Sequence, residues 1–479
     1  SKTLPNPLTT SLDHWGFWKG GNITTISNVE NYCKNLLTEK SVATGFHDVA
    51  LLNKVTYPTG GTSEITYQAN YYRKFLKKNT DKKQIDLSTA TANTICGGAR
   101  VHKINDYDPV TQKTTNERKL EYILPGTTTS SGVIGYEPKY QALEVVNYQF
   151  TEYTSSGFCT YSKRASFFDI SANSLGFNEN LPEYHIGYSD VIEKHNNGGY
   201  VHYKYSSQAD ADTRESVEDT KTMVTLIPFD SWGSAQTNMK FYEIAEKSGV
   251  YLTNNLSHFR GKLLEKKSYN SAGTVVQQET YTYNKDVAKS KYQVGLISVS
   301  RGRSSYKIYT TPCLLVKKEI KDQHNNAYTE FYSYGKNSLL AKQRTVNSDG
   351  KELAVAYSYI SDFLYSSLTT AEKRYYDKNQ LDKPLTITKT VKENGTEKTI
   401  ESLSFRYGGE TKSNLEEVRQ LQGTAMNNMI SYFNYDAYDN PMGVLEKGTD
   451  YTMYLWSYKG TLPVAVIKNV NYQMVEQKL

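Results

Sequence analysis

Three segments in the second half of the chain carry one hydrophobic–polar pattern without gaps. Leu264-Glu265-Lys266-Lys267 leads through Asn270-Ser271-Ala272-Gly273 to Glu279-Thr280-Tyr281-Thr282-Tyr283. Leu315-Val316-Lys317-Lys318 leads through Asp322-Gln323-His324-Asn325-Asn326 to Glu330-Phe331-Tyr332-Ser333-Tyr334. Leu340-Ala341-Lys342-Gln343 leads through Asn347-Ser348-Asp349-Gly350 to Val355-Ala356-Tyr357-Ser358-Tyr359. The first Leu and the last Tyr are 19 positions apart each time, and the second and third units start 25 residues apart. The pattern predicts a strand, a polar turn and a return strand, because Asn, Asp and Gly supply the positive φ or side-chain-capped turns that close hairpins. In the return strand Tyr-x-Tyr puts both rings on one face and Thr282, Ser333 and Ser358 on the other. A single hairpin buries too little to be stable, so the units need one another as neighbours.

Weaker copies occur elsewhere. Leu52 to Tyr57 turns at Pro58-Thr59-Gly60-Gly61 and returns as Glu64 to Tyr67. Val191 to Lys194 turns at Asn196-Asn197-Gly198-Gly199 and returns as Tyr200 to Tyr205. Leu385 to Lys389 turns near Glu393-Asn394-Gly395 and returns through Leu403 to Tyr407. Gly97 to Asp106 begins another, with Glu121-Tyr122 in its return strand. Short helices are expected at Ser367 to Asn379 and at Asn414 to Leu421, from capping-type starts. Ser206 to Thr220 reads as a loop. The one boundary drawn, near Leu256, separates irregular hairpins with long loops (1–255) from regular repeats continuous with them (256–479). The fold class expected is all-β: antiparallel hairpins stacked into a long curled sheet, spiral or partial hollow shell.

Composition strengthens this reading. The chain of 479 residues has 41 tyrosines against 31 glycines and 15 phenylalanines, the reverse of the usual order. Tyr favours strands and carries a hydroxyl that needs a partner when buried. Fifty-six basic and 50 acidic residues leave +6, spread along the chain, where a nucleic-acid binder concentrates its charge. The basic, aromatic stretch Tyr71 to Lys78 reads as a solvated hairpin flank, and no nucleic-acid partner is expected. No apolar run approaches the ~20 residues of a transmembrane helix, and Ser1 to Pro7 is no targeting segment. Cys33, Cys96, Cys159 and Cys313 show no CxxC pair and no zinc spacing, so free buried thiols are expected; their disulfide state stays open.

The C-terminal part carries a resemblance. Phe433-Asn434-Tyr435-Asp436-Ala437-Tyr438-Asp439-Asn440-Pro441 resembles the Y-D-x-x-G-N core of Rhs/YD repeats, with Asp439 where the family often has Gly. Tyr454 to Gly460 and Leu462-Pro463-Val464-Ala465 resemble a tract of a large branch of Gram-negative surface proteins. Asp13 to Phe17, Tyr57 to Gly61 and Arg260 to Leu264 resemble further tracts of that branch, so the resemblance runs along nearly the whole chain. It implies a long antiparallel sheet that curls into a spiral or shell, in proteins that are secreted or associated with the outer membrane and cell surface. Some relatives enclose a C-terminal toxin and carry a terminal motif, roughly D-P-x-G-x-x-D-G. No such motif occurs here, so self-cleavage and toxin activity are not carried over.

Candidate chemistry is sparse. With Gly198-Gly199 at the turn centre, His195 and His202 sit directly opposite, and Glu193 shares their face. Two imidazoles and a carboxylate suit zinc or another transition metal, against ordinary cross-strand polar pairing; a one-residue slip moves the pair onto a diagonal. Trp15, Phe17 and Trp18 offer an aromatic platform for sugar rings, with Asp13 or His14 taking hydroxyls. In a strand, however, Trp18 lies on the face opposite Trp15 and Phe17, and a continuous platform needs a turn at Gly16. Glu279 and Glu330 fall on the Tyr face, where they accept hydrogen bonds from Tyr hydroxyls or pair with Lys. Glu416-Glu417 reads as a solvated helix face. There is no GxSxG, HExxH, GxxxxGK[ST] or helix-opening GxGxxG, so no enzyme activity, catalytic residue or cofactor is expected. Tyr281, Tyr283, Tyr332, Tyr334, Tyr357, Tyr359, Tyr435 and Asp436 are assigned to the structural repeat. The function expected is a structural or interaction module of a large secreted or surface protein. Its partners are then other parts of that protein or other surface proteins. The alternatives are a shell segment around a toxin or cargo outside this chain, and a glycan-binding or carbohydrate-active surface protein.

Overall fold

The structure, a computed structural model, describes residues 9, 11–20, 32–79, 84–135, 137–138, 140–154, 157–170, 185–214, 238–241, 246–248, 254, 256–285, 290–299, 302–409, 413–422 and 424–470. Among them strand dominates and almost all pairing is antiparallel; the two α-helices, Tyr32–Glu39 and Thr370–Asp377, are short. The chain divides into two units, Ser1–Thr280 with Asn284–Leu314, and Tyr281–Tyr283 with Leu315–Leu479.

The second unit is a meander. Strands Leu315–Asp322, Ala327–Tyr334, Leu340–Val346, Glu352–Tyr359, Pro384–Glu393, Thr396–Gly408, Asn414–Gln422, Ala425–Tyr435, Pro441–Glu446, Asp450–Ser457 and Leu462–Lys468 each pair with the next. One turn closes hairpins in both units. Its first residue donates its N–H to the carbonyl four positions on and accepts from the N–H three positions on. This recurs at Tyr57, His195, Asn270, Asp322, Asn347 and Asp436, with N···O distances of 2.9–3.2 Å. The fourth residue always has positive φ: Gly60 (85°), Gly198 (84°), Gly273 (78°), Asn325 (64°), Gly350 (80°) and Asp439 (66°). The position suits Gly, since an L-residue pays a steric penalty there and Asn or Asp pays least. The first residue's side chain often seals the loop. Asp436 Oδ1 accepts from the N–H groups of Tyr438 and Asn440, and Asn270 and Asp322 do the same at their own turns. Asn394-Gly395 is a two-residue turn instead, with φ of 51° and 81°, the pair a type I′ hairpin demands.

In four hairpins of the second unit the open end is closed by the last tyrosine. Tyr334 donates its hydroxyl to the Leu315 carbonyl (2.7 Å), Tyr359 to Leu340 (3.0 Å), Tyr407 to Pro384 (2.9 Å), and Tyr435 to Leu415. The 19-residue spacing of two of these pairs is therefore the span of a hydrogen bond. A β-bulge precedes the clasp at Tyr334, Tyr359 and Tyr407, and it re-aims the side chain along its own hairpin. The paired rings lie on one face, as Tyr357 and Tyr359 show with centroids 6.3 Å apart and planes 14° apart. Glu330 sits on the same face and accepts from both Tyr328 and Tyr332, while Glu279 is buried against Lys266 at 3.1 Å.

Thr370–Asp377 confirms the first expected helix, opened by a capping box between Thr369 and Glu372. The second is corrected: Asn414–Gln422 is a strand, hydrogen-bonded on both sides. Its acid-rich start reads as helical in isolation, but ladders on two edges outweigh so weak a preference. Glu416 and Glu417 consequently lie in a sheet; Glu416 occupies a bulge, and Glu417 pairs with Arg419 and Arg406.

The first unit is built on a long ribbon, Thr62–Asn79 against Gln84–Asp108, with three register shifts. At one of them Ala69 faces Ala99 while Asn70 faces Cys96, so Gly97 and Gly98 are extruded from the ladder. Gly132–Ile134 runs parallel to the ribbon at Lys74–Phe75 and antiparallel to Ile186–Tyr188. Asp190–His195 joins Lys113–Glu121 to Tyr200–Tyr205, which pairs in turn with Leu263–Tyr269. Tyr72, Cys96, Ile134 and Ile186 form the core here, with Trp15, Phe75 and Tyr188 against them. Residues 206–214 are without strand, as expected, and 215–220 lie outside the described residues.

Candidate functional site

The extruded Gly97-Gly98 pair lets the N-terminal turn approach the ribbon. A Cβ on Gly97 would come within 2.5 Å of Asp13 Oδ2, and one on Gly98 within 2.8 Å of the Phe17 ring, so a side chain there would displace Asp13 or Phe17. The turn itself runs from Asp13 to Phe17 (N···O 2.7 Å), with Gly16 at φ 86°. Asp13 Oδ1 accepts from the N–H groups of Trp15 (2.9 Å) and Phe17 (3.0 Å). Burial is the largest influence on that carboxyl and holds it above its ordinary range despite these donors.

The turn at Gly16 that a continuous platform needs is present, and it sets the three aromatic residues against the following neighbours. Trp15 packs into the core; Phe17 lies against His185 (ring centroids 5.4 Å) and Trp18 against Phe46 (5.0 Å). Phe17 and Trp18 share the wall of a cavity of about 430 Å³ with Phe46, Arg100, Tyr122 and Tyr188. Most polar groups around it are already engaged. Asn70 donates to the Gly97 carbonyl (2.9 Å) and accepts from the Tyr188 hydroxyl (2.9 Å). Tyr122 donates to the Val101 carbonyl (2.8 Å), and His185 Nε2 lies 2.8 Å from the Gly97 carbonyl. A carbonyl only accepts, so Nε2 carries the proton; burial lowers the His185 pKa, against the Gly97 hydrogen bond, and favours the neutral ring. Burial likewise pushes Tyr122 up to about 12.

Arg100 is engaged only in part, through a hydrogen bond to the Tyr188 side chain. Its guanidinium carbon lies 4.6 Å from the Tyr122 ring centroid, 5.1 Å from Tyr188 and 5.6 Å from Tyr71. Nε and Nη1 are buried without a hydrogen-bond partner. Sequence reasoning missed this residue and Phe46, Tyr122, His185 and Tyr188, because they converge from segments up to about 140 positions apart. The Cys96-Gly97-Gly98 run was the one local signal, since adjacent glycines inside a strand mark a bulge or a close approach.

The histidine hairpin is corrected. The turn pairs His195 with Gly199, which places His202 opposite Ile192 and His195 on the other face. His202 Nε2 meets Asp190 Oδ1 at 2.8 Å, and His195 lies 4.0 Å from Glu193. Among the described residues no group of three His, Cys, Asp or Glu is placed to hold a metal ion. Cys96 and Cys313 are free and buried; the side chains of Cys33 and Cys159 lie outside the described residues. Among the described residues no helix is long and apolar enough to cross a membrane, which says nothing of a β-barrel.

No protein-family model matches the chain, and no curated protein matches it. Among solved structures it is similar to a porin-like protein from Bacteroides vulgatus ATCC 8482, at 10% identity over 58% of this chain and 94% of that one. The TM-score is 0.16, a likeness too slight to bear on fold or function.

Proposed function

We propose that this chain is a non-enzymatic structural and interaction module of a large secreted or cell-surface protein of the Rhs/YD-repeat type. The observation that carries the reading is the coincidence of two devices at repeat spacing. One is a turn with positive φ at its fourth residue; the other is a tyrosine hydroxyl clasped to the carbonyl that opens the same hairpin. The two coincide in the hairpins 315–334 and 340–359; in the tract Phe433 to Asn440, which resembles the YD core, Tyr435 makes the clasp of the hairpin it ends, and Asp436 opens the turn to the next strand with Asp439 at positive φ. Residues so used hold a scaffold and leave little for chemistry, which supports a role in presenting surface rather than in turnover.

The test is protease shaving of intact cells that produce the protein. Peptides from 315–470 released by added protease before lysis, under conditions that leave cytoplasmic markers intact, are the expected result. Release of those peptides only after lysis contradicts a surface role.

A further inference from the structure

We propose that the cavity behind the Phe17–Trp18 turn binds a small amphipathic carboxylic acid, with Arg100 receiving the carboxylate and the aromatic walls enclosing a ring or short hydrocarbon body. At about 430 Å³ the space is within the range of small-molecule sites and suits a body of one or two rings. Its lining is aromatic and aliphatic on Phe17, Trp18, Phe46, Val49 and Leu51. Arg100 is the one lining side chain with a permanent positive charge, and among the described residues no carboxylate pairs with it.

Three tyrosine rings around the guanidinium account for part of its stabilisation, through cation–π attraction. They do not account for Nε and Nη1, which are donors and need acceptors; a ring face is a weak substitute for an oxygen. The guanidinium fork fits a carboxylate through two parallel N–H···O bonds. Arg100 lines the cavity, so its side chain is at hand for such a ligand. The chemistry of the walls decides between anions. A sugar acid brings several hydroxyls, yet Asn70, Tyr122, Tyr188 and His185 are already bonded within the protein. A phosphate brings up to two charges to a site with one permanent cation. A monocarboxylate with an apolar body satisfies the orphaned donors and leaves nothing of its own unpaired.

The experiment is titration calorimetry of the full chain with 4-phenylbutyrate, its uncharged amide, glucuronate and inorganic phosphate. Saturable one-to-one binding of phenylbutyrate at up to millimolar concentration is expected, with the amide at least about tenfold weaker. Arg100→Gln is expected to bring the acid to the amide's level, and Arg100→Lys to retain part of the difference, with circular dichroism unchanged. Equal binding of acid and amide overturns the proposal, as does no saturable binding of either. Tighter binding of glucuronate or phosphate overturns it in favour of a sugar or phosphate site. The acid–amide comparison is made on the unaltered protein, so it decides even where Arg100→Gln fails to fold.

Discussion

Removing the clasp hydroxyls one at a time puts the repeat device under direct load. Tyr359→Phe deletes one hydroxyl, leaves the ring, and strips the Leu340 carbonyl of its 3.0 Å donor. A neutral hydrogen bond is worth about 1 kcal/mol net, and a carbonyl left without a partner adds to that where water cannot reach it. Both ends are half-buried, so water restores part of the loss and the expected cost is about 1–1.5 kcal/mol. The control lies two residues away. Tyr357 shares the face and the ring stack but its hydroxyl has no partner among the described residues, so Tyr357→Phe is expected to cost under about 0.5 kcal/mol. A chain of two units need not unfold in one step, so the readout is native-state hydrogen exchange of peptides spanning 340–359. A loss of about 1 kcal/mol speeds exchange there roughly fivefold and leaves peptides of the first unit unchanged. Tyr334→Phe and Tyr407→Phe are expected to act alike at their own hairpins. Equal exchange in Tyr359→Phe and Tyr357→Phe refutes the reasoning, because the hydroxyl would then contribute nothing the ring does not.

Other consequences follow from the same geometry. A Cβ on Gly350 meets nothing within 4 Å, so Gly350→Ala isolates the cost of its φ of 80°; a loss of about 1 kcal/mol is expected by local hydrogen exchange. Gly98→Ala combines a φ of 77° with a 2.8 Å clash against Phe17, and its larger loss of stability should appear in a thermal melt. Asn270→Ala removes the acceptor of two turn N–H groups and is expected to cost about 1 kcal/mol in exchange of the flanking strands. Burial first, then the Lys40 and Lys19 charges, lowers His14 to about 4. The unfolded state, with an ordinary value near 6.5, therefore takes up protons first. This contribution is intact above about pH 6.5 and is lost as pH falls toward 4, by at most about 1.4 kcal/mol per pH unit because the ring is partly exposed. Melting temperatures of the first unit between pH 7 and 4, flatter in His14→Gln, check it.

The strand-rich class and the regular hairpins were legible because they rest on local rules: alternation, turn residues and a fixed spacing. The Leu315/Tyr334 and Leu340/Tyr359 pairs show in the sequence as a period and in the structure as a hydrogen bond. What local rules cannot specify is register where one residue changes the face. His195 and His202 illustrate it: a turn counted as centred on Gly198-Gly199 sets them opposite, whereas the turn that forms pairs His195 with Gly199. Asn414 to Leu421 reads as helix because the partners of the strand it forms, Thr396–Gly408 and Ala425–Tyr435, are invisible to propensity. The pocket was hidden for a third reason. Phe17, Phe46, Arg100, Tyr122 and Tyr188 meet through a bulge in a long ribbon, and only its glycines carry a trace of that in the sequence.

The repeat register itself is tested most directly by paired cysteines at the junction between two hairpins, where Glu330 faces Thr345. A Glu330→Cys/Thr345→Cys chain is expected to form a disulfide between those two positions under mild oxidant, mapped by mass spectrometry. Glu330→Cys/Arg344→Cys, one residue out of step and on the opposite face, is expected to stay reduced. Efficient cross-linking of the second pair and not the first would contradict the hairpin array and the clasp built on it.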